Sequence, residues 1–249
     1  MKKILMSKVM VILLVLVLVF TIVSIRPLIE VNAAGPIYRV VPDGLITGDC
    51  GDTWENACDL QYALVTLSGS GDELWVKTGT YKPTTETDRT VSFVLKDSVA
   101  LYGGFAGTET SRDERDWEEN VTILSGDIGT TGDNSDNSYH VVTGSGTNNT
   151  AVLDGFTITK GNANGSDPYL KGGGMYNVSG SPTLANLNFD QNYGESSGGG
   201  MYNYQSSSPT LTNVTFSGNR STDGGGMYNG DNSSPALMDV TFSSNDADR

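Results

Sequence analysis

Along residues 181–245 the apolar positions step by three and then by two, as at Leu211, Val214 and Phe216, instead of following the 3.6-residue period of a helix. Such a step is strand alternation interrupted by one residue that turns the chain. In the four copies of this pattern the interrupting position holds Gly155, Asn186, Asn213 and Asp239, all residues that tolerate a positive φ. The spacing predicts short strands joined by tight corners.

The pattern repeats at a fixed interval. Gly-Gly-Gly-Met-Tyr-Asn begins at Gly172, Gly198 and Gly224, so successive starts lie 26 residues apart. Between these hexapeptides lie residues 181–192, 208–219 and 234–245, and a degenerate earlier copy runs from Leu153 to Thr159 and ends at Gly161-Asn162. A second corner is marked by Asn162, Asn192, Asn219 and Asn245, and a third by Asn177, Asn203 and Asn229. Three strands and three corners per unit, with like residues recurring each turn, predict an all-β parallel β-helix in which each coil pairs with the next about 4.8 Å away. Leu, Val, Phe and Met then fill the interior, and Asn192, Asn219 and Asn245 form a corner ladder of amides. The Gly triplets suit close backbone passage between coils.

The GGGMYN hexapeptides, together with Phe216-Ser217-Gly218-Asn219 and Phe242-Ser243-Ser244-Asn245, resemble the repeats of polymorphic outer membrane proteins, secreted bacterial right-handed parallel β-helix proteins. The resemblance is dense from Leu153 onward. Leu74 to Tyr81, Val99 to Phe105 and Asn120 to Asp127 are similar to the amino-terminal coils of the same surface proteins. It implies a right-handed solenoid at the cell surface or outer membrane and implies no reaction.

Upstream the pattern is less regular. Residues 1–34 carry Lys2, Lys3 and Lys8, then a 17-residue apolar run from Val9 to Ile25, then Val31-Asn32-Ala33 before a cut at Ala34. This reads as a secretory signal, with an uncleaved membrane anchor flanked by Arg26 as the alternative. Residues 35–73 hold an N-terminal strand and a helix on which Ala57, Leu60, Leu64 and Leu67 share a face, with Asn56 as its cap and residues 68–71 as its end. That helix is expected to cover the first coil. Irregular coils fill 74–150, with strands near 74–78, 91–95, 99–102 and 121–124, and the charge-dense stretch Gly107 to Asn120 reads as a solvated excursion. Regular coils occupy 151–249. The sequence stops where the next GGGMYN is due, which reads as a fragment of a longer product or as a last coil that meets a partner.

Composition narrows the function. With 15 Lys and Arg against 29 Asp and Glu the formal charge is −14, and loss of residues 1–34 makes it −17. Nucleic-acid binding, which needs clustered cations, is excluded on this ground. Export makes Cys50 and Cys58 read as a disulfide, with two free thiols as the alternative.

Candidate chemistry is sparse. Parallel β-helices include polysaccharide lyases and hydrolases, but the pair of facing carboxylates that glycoside hydrolysis requires is not evident, and neither is a cationic groove for a polyuronate. No catalytic residue is assigned. The single histidine, His140, lies in the alternating stretch Tyr139 to Thr143 and reads as a structural or surface residue. Asp127, Asp133 and Asp136, with Asn134 and Asn137, form an oxygen-rich loop that could take Ca2+, the one cofactor the sequence suggests. Tyr176, Tyr202 and Tyr228 are the binding candidates: with Met175, Met201 and Met227 inward, alternation sends these rings outward, one per coil, as a platform for sugar rings or a protein partner. The expected function is an exported, cell-surface or extracellular adhesion, glycan-binding or structural module without catalysis. A polysaccharide-active enzyme with its groove in the irregular coils or in a missing continuation is the alternative.

Overall fold

The computed structural model describes residues 35–248. The expected secretory signal, with the run Val9 to Ile25 and the expected cut at Ala34, lies outside the described residues. No helix among those described is long and apolar enough to cross a membrane.

The chain is a right-handed parallel β-helix. In chain order its strands are β1 (Ile37–Leu45), β2 (Glu73–Lys77), β3 (Gly79–Tyr81), β4 (Phe93–Val94), β5 (Ala100–Phe105), β6 (Thr122–Ser125), β7 (Val142–Thr143), β8 (Val152–Thr159) and β9 (Asn162–Ala163). They continue as β10 (Met175–Val178), β11 (Thr183–Asp190), β12 (Tyr193–Ser197), β13 (Met201–Tyr204), β14 (Thr210–Ser217), β15 (Arg220–Asp223), β16 (Met227–Asn229), β17 (Ala236–Ser243) and β18 (Asp246–Ala247). One sheet orders β1, β2, β5, β8, β11, β14 and β17, with β3 and β6 alongside; a second orders β4, β7, β10, β13 and β16; a third orders β9, β12, β15 and β18. Every pairing is parallel, so each coil donates its ladder to the next one.

Register places like on like. Leu153, Leu184, Leu211 and Leu237 align in one column, and Phe189, Phe216 and Phe242 in another, their rings stacked at 4.7 and 4.9 Å. Leu153, Leu184, Leu211, Phe189 and Phe216 are fully buried, whereas Leu237 and Phe242 in the last described coil are each 49% exposed. The interrupting residues Gly155, Asn186, Asn213 and Asp239 all have positive φ, between 50° and 89°, and there the strand turns without leaving its sheet.

Buried amides run parallel to this apolar stack. Asn192 Nδ2 donates to Asn219 Oδ1 at 3.0 Å, and Asn219 Nδ2 donates to Asn245 Oδ1 at 2.9 Å. Each of these amides also donates across the corner to a backbone carbonyl, Asn219 to Phe189 O at 2.8 Å. Asn177, Asn203 and Asn229 form the equivalent ladder at the third corner, linked at 2.9 Å. Asn162 is not a member of the first ladder, contrary to the sequence pattern. It pairs with Tyr193, and Gly161 stands where Asn192 stands one coil later. A Cβ at Gly161 would collide with Gly173 O, so no amide fits there. Asn192 Oδ1 instead accepts the Gly161 N–H directly at 3.0 Å.

One further expectation is corrected. The helix begins at Leu60, not near Asn56: its α-helical part is Leu60–Tyr62, continued by a π-helical turn over Ala63–Leu67. Asp59 is the cap, accepting Tyr62 N–H at 2.9 Å. The chain cannot coil earlier because Cys58 is bridged to Cys50 and Ala57–Asp59 is held extended against Leu45 by backbone bonds of 3.0 and 2.9 Å. Leu60, Ala63 and Leu64 join Val40, Leu74 and Val76 in the core. The stretch Gly107 to Asn120 is exposed along most of its length, and two of its charged residues are tied into the fold. Glu109 is 8% exposed and accepts the N–H groups of Ala106, Gly107 and Thr108, while Arg115 Nη2 meets Asp154 Oδ2 at 2.7 Å.

The ladder sets a test. Asn219→Ala leaves the Asn192 N–H without its acceptor and takes one bond from each neighbouring amide and from the Phe189 carbonyl, and we expect a loss of about 3 kcal/mol. Asn213→Gly removes an exposed amide bond at a left-handed corner that glycine accepts, and should cost less than about 1 kcal/mol. Urea unfolding midpoints check both; equal effects would remove the ladder from the account.

Candidate ligand-binding groove

The second sheet brings Tyr176, Tyr202 and Tyr228 into one column, paired in register through β10, β13 and β16. Their rings stack at 5.6 and 5.3 Å with planes within 12° of parallel. Met175 and Met201 point inward and are fully buried. The tyrosines therefore face the other way, but not as the open platform that alternation predicts. Tyr202 is only 4% exposed, because its neighbours cover both ring faces and Tyr204 packs beside it at 5.7 Å. Faces stacked on one another leave ring edges and hydroxyls for a ligand.

Those hydroxyls are free to act. Among the described residues the phenol oxygens of Tyr176, Tyr202 and Tyr228 have no hydrogen-bond partner, and none is a sealed, unpaired atom. Burial raises the Tyr202 phenol far above its ordinary value, and burial also raises Tyr176 against the opposing pull of the Lys171 ammonium. Both stay protonated and can donate as well as accept.

A groove of about 560 Å3 is lined by this column together with Asp167, Lys171 and Gln205. Lys171 Nζ lies 5.7 Å from the Tyr202 ring centroid and pairs with Asp167. Neither residue was marked by the hexapeptide repeat. The signal lay in its failure: aligned leucines are 27 and 26 residues apart from Leu184 to Leu211 to Leu237, but 31 apart from Leu153 to Leu184. The longer coil carries Asp167 and Lys171, which line the groove.

The same insertion seals His140. Its ring is 5% exposed, stacked on Tyr176 at 4.8 Å and on Tyr169 at 5.7 Å. Only Val142 and Thr143 of the predicted stretch form a strand, β7, so His140 sits just before it. Nδ1 lies 3.1 Å from Gly172 O, which fixes the proton on Nδ1 and leaves Nε2 as a buried, unpaired acceptor. Desolvation lowers its pKa to about 4, although hydrogen bonds to the Gly172 and Lys171 backbone pull the other way. Such a ring is neutral and closed to substrate.

Asp127, Asp133 and Asp136 each bond within their own loop, and Asp136 Oδ1 stays buried without a partner. Each accepts a backbone N–H, from Gly132, Ser135 and Thr130 respectively. No group of three His, Cys, Asp or Glu residues suited to a metal ion is present among the described residues. Cys50 and Cys58 form a disulfide with Cα atoms 5.3 Å apart, remote in the chain from the groove.

No family model matches the sequence, and no curated protein matches it. Among solved structures the chain is similar to the crystal structure of pectate lyase Pel9A, with 14% identity and a TM-score of 0.45 over 74% of this chain. It spans 40% of that chain's length. A likeness of this degree transfers no activity and no residue role. None of these comparisons joins the chain to the polymorphic outer membrane proteins, so that resemblance rests on its motifs.

His140 makes stability depend on pH. Its folded pKa of about 4 lies below the ordinary 6.5, so the unfolded chain binds the proton more readily. The neutral ring's contribution is full above about pH 6.5, is lost as pH falls toward 4, and levels off below; the span is about 3 kcal/mol. Denaturant titrations from pH 4 to 7 should show this slope, and His140→Phe should flatten it.

Proposed function

We propose that this chain is an exported, surface-associated β-helix module that holds a neutral glycan along its tyrosine column without cleaving it. One observation carries the reading: three phenol hydroxyls without protein partners, one per coil, open into a groove of about 560 Å3. Coils repeat about every 4.8 Å, so the groove offers a polymer the same contact again at each step along the axis. Hydroxyls that donate and accept equally suit polyhydroxylated chains. The paired Lys171 and Asp167 add polar contacts without a net charge.

The groove's own groups argue for binding over catalysis. Burial holds the Tyr176 and Tyr202 phenols protonated, the lysine is engaged by a carboxylate, and the single histidine is sealed beneath Tyr176. General acid–base chemistry needs a group whose pKa lies near the working pH and which reaches the substrate. The net charge of −14 repels polyanions and leaves neutral polysaccharides as the favoured class. The membrane is met, if at all, through residues 1–34, and a cell-surface polysaccharide is the partner this reading assigns.

Replacing Tyr176 and Tyr228 together by Phe keeps the ring stack and deletes two hydroxyls. Each such hydrogen bond contributes about 0.5–1.5 kcal/mol, so retention on the bound polysaccharide in affinity electrophoresis should weaken about tenfold with an unchanged melting temperature. Unaltered retention would move the site away from the tyrosine column.

A further inference from the structure

Register gives the tyrosine groove a period along the solenoid axis. Tyr176 pairs with Tyr202, and Tyr202 with Tyr228, with no shift between coils. Their rings advance by 5.6 and then 5.3 Å and stay within 12° of parallel, so the phenol edges follow at nearly the same step. Beyond Tyr176 the column is closed. His140 stacks on that ring at 4.8 Å, Tyr169 stacks on His140 at 5.7 Å, and neither lines the groove. The tyrosines of three coils are what a ligand meets.

This period sorts the polymers that fit. An extended polypeptide rises about 3.3 Å per residue and shows one face every second residue, about 6.6 Å apart, so it falls out of step with the tyrosines. Stacked nucleotides repeat about every 3.4 Å, and their phosphates meet a chain of net charge −14. A β-1,4-linked pyranose chain is straight, and each residue advances by one ring and one bridging oxygen, a step close to that of the coils. Successive rings of such a chain turn over, but both ring edges carry hydroxyls, so a phenol finds one at every step. Chains linked α-1,4 or β-1,3 curl into helices, and their rings leave a straight column.

The walls agree with a flat, neutral ribbon. Val178 and Tyr204 pair in register beside the tyrosine column and line the groove, which gives apolar contact to the C–H faces of sugar rings. Asp167 and Lys171, the charged residues lining it, pair with one another and leave no free charge for an ionic ligand.

We infer that the groove takes an extended β-1,4-linked neutral glycan, laid along the solenoid axis with one sugar ring per coil. The inference rests on the reading of the tyrosine groove as a glycan site and adds the linkage, the alignment and the number of rings. The course of the glycan backbone makes the selection, so β-1,4-linked glucans and mannans are both accepted.

Isothermal titration calorimetry on the purified chain tests it, with cellohexaose, mannohexaose, maltohexaose and laminarihexaose as probes. Cellohexaose or mannohexaose should bind about tenfold or more tightly than α-1,4-linked maltohexaose and β-1,3-linked laminarihexaose. Across shorter members of the tighter β-1,4 series, affinity should rise about two- to tenfold per ring up to three or four rings and then level off, as each ring adds a hydrogen bond. Tyr228→Phe, which keeps the ring stack, should bring that plateau one ring shorter at an unchanged melting temperature. Maltohexaose or laminarihexaose bound as tightly as the β-1,4 chains, or a plateau already reached at two rings, overturns the inference. If that binding is lost in Tyr176→Phe/Tyr228→Phe, the groove reading stands without it. Absence of binding by all four probes overturns the inference, and binding unaltered in the double variant removes the groove reading as well.

Discussion

The amide of Asn219 faces both of its neighbours along the axis, accepting from Asn192 below it and donating to Asn245 above, with its second N–H on the Phe189 carbonyl. A side chain buried to 0% exposure has no water to fall back on. Its pairing is complete only when the coils are in register, because a slip of one residue would bring an apolar or outward position against it. The same constraint fixes the phenylalanine column and the tyrosine column, which are stacked by the same parallel pairing. The rest of the solenoid follows from this requirement that like meet like at every turn.

The proposed binding surface lies where the register is kept but the coil is lengthened. A strict repeat yields smooth faces with every group matched. The tyrosine groove arises beside an insertion between matched strands, and Asp167 and Lys171 of that longer coil line it. The insertion is anchored by lysine and aromatic contacts, so it behaves as a built wall and not as a loose loop. Stability therefore resides in the columns, and the proposed recognition in the departures from them.

Much of the fold was legible because repetition exposes it. The step of three and two around Leu211, Val214 and Phe216 marked the turn, and the positive φ at Asn186, Asn213 and Asp239 is its physical form. What the pattern did not reveal depended on contacts between residues distant in sequence. Nothing local says that Cys58 and its pairing with β1 delay the helix to Leu60, or that Gly161 excludes an amide because Gly173 passes so close. Alternation put the tyrosines on the outer face but could not say that in-register rings cover one another's faces. The charge-dense appearance of 107–120 concealed that Glu109 and Arg115 find their partners inside the fold.

The central claim is that this solenoid holds a polysaccharide and leaves it whole. The most direct measurement incubates the purified chain with plant, algal and bacterial polysaccharides, scoring protein retained on the polymer and oligosaccharides released, the latter by mass spectrometry. Retention on a neutral polymer with no released product is the predicted result. Release of oligosaccharides would contradict it and place a working acid and base on a face that, in this account, only binds.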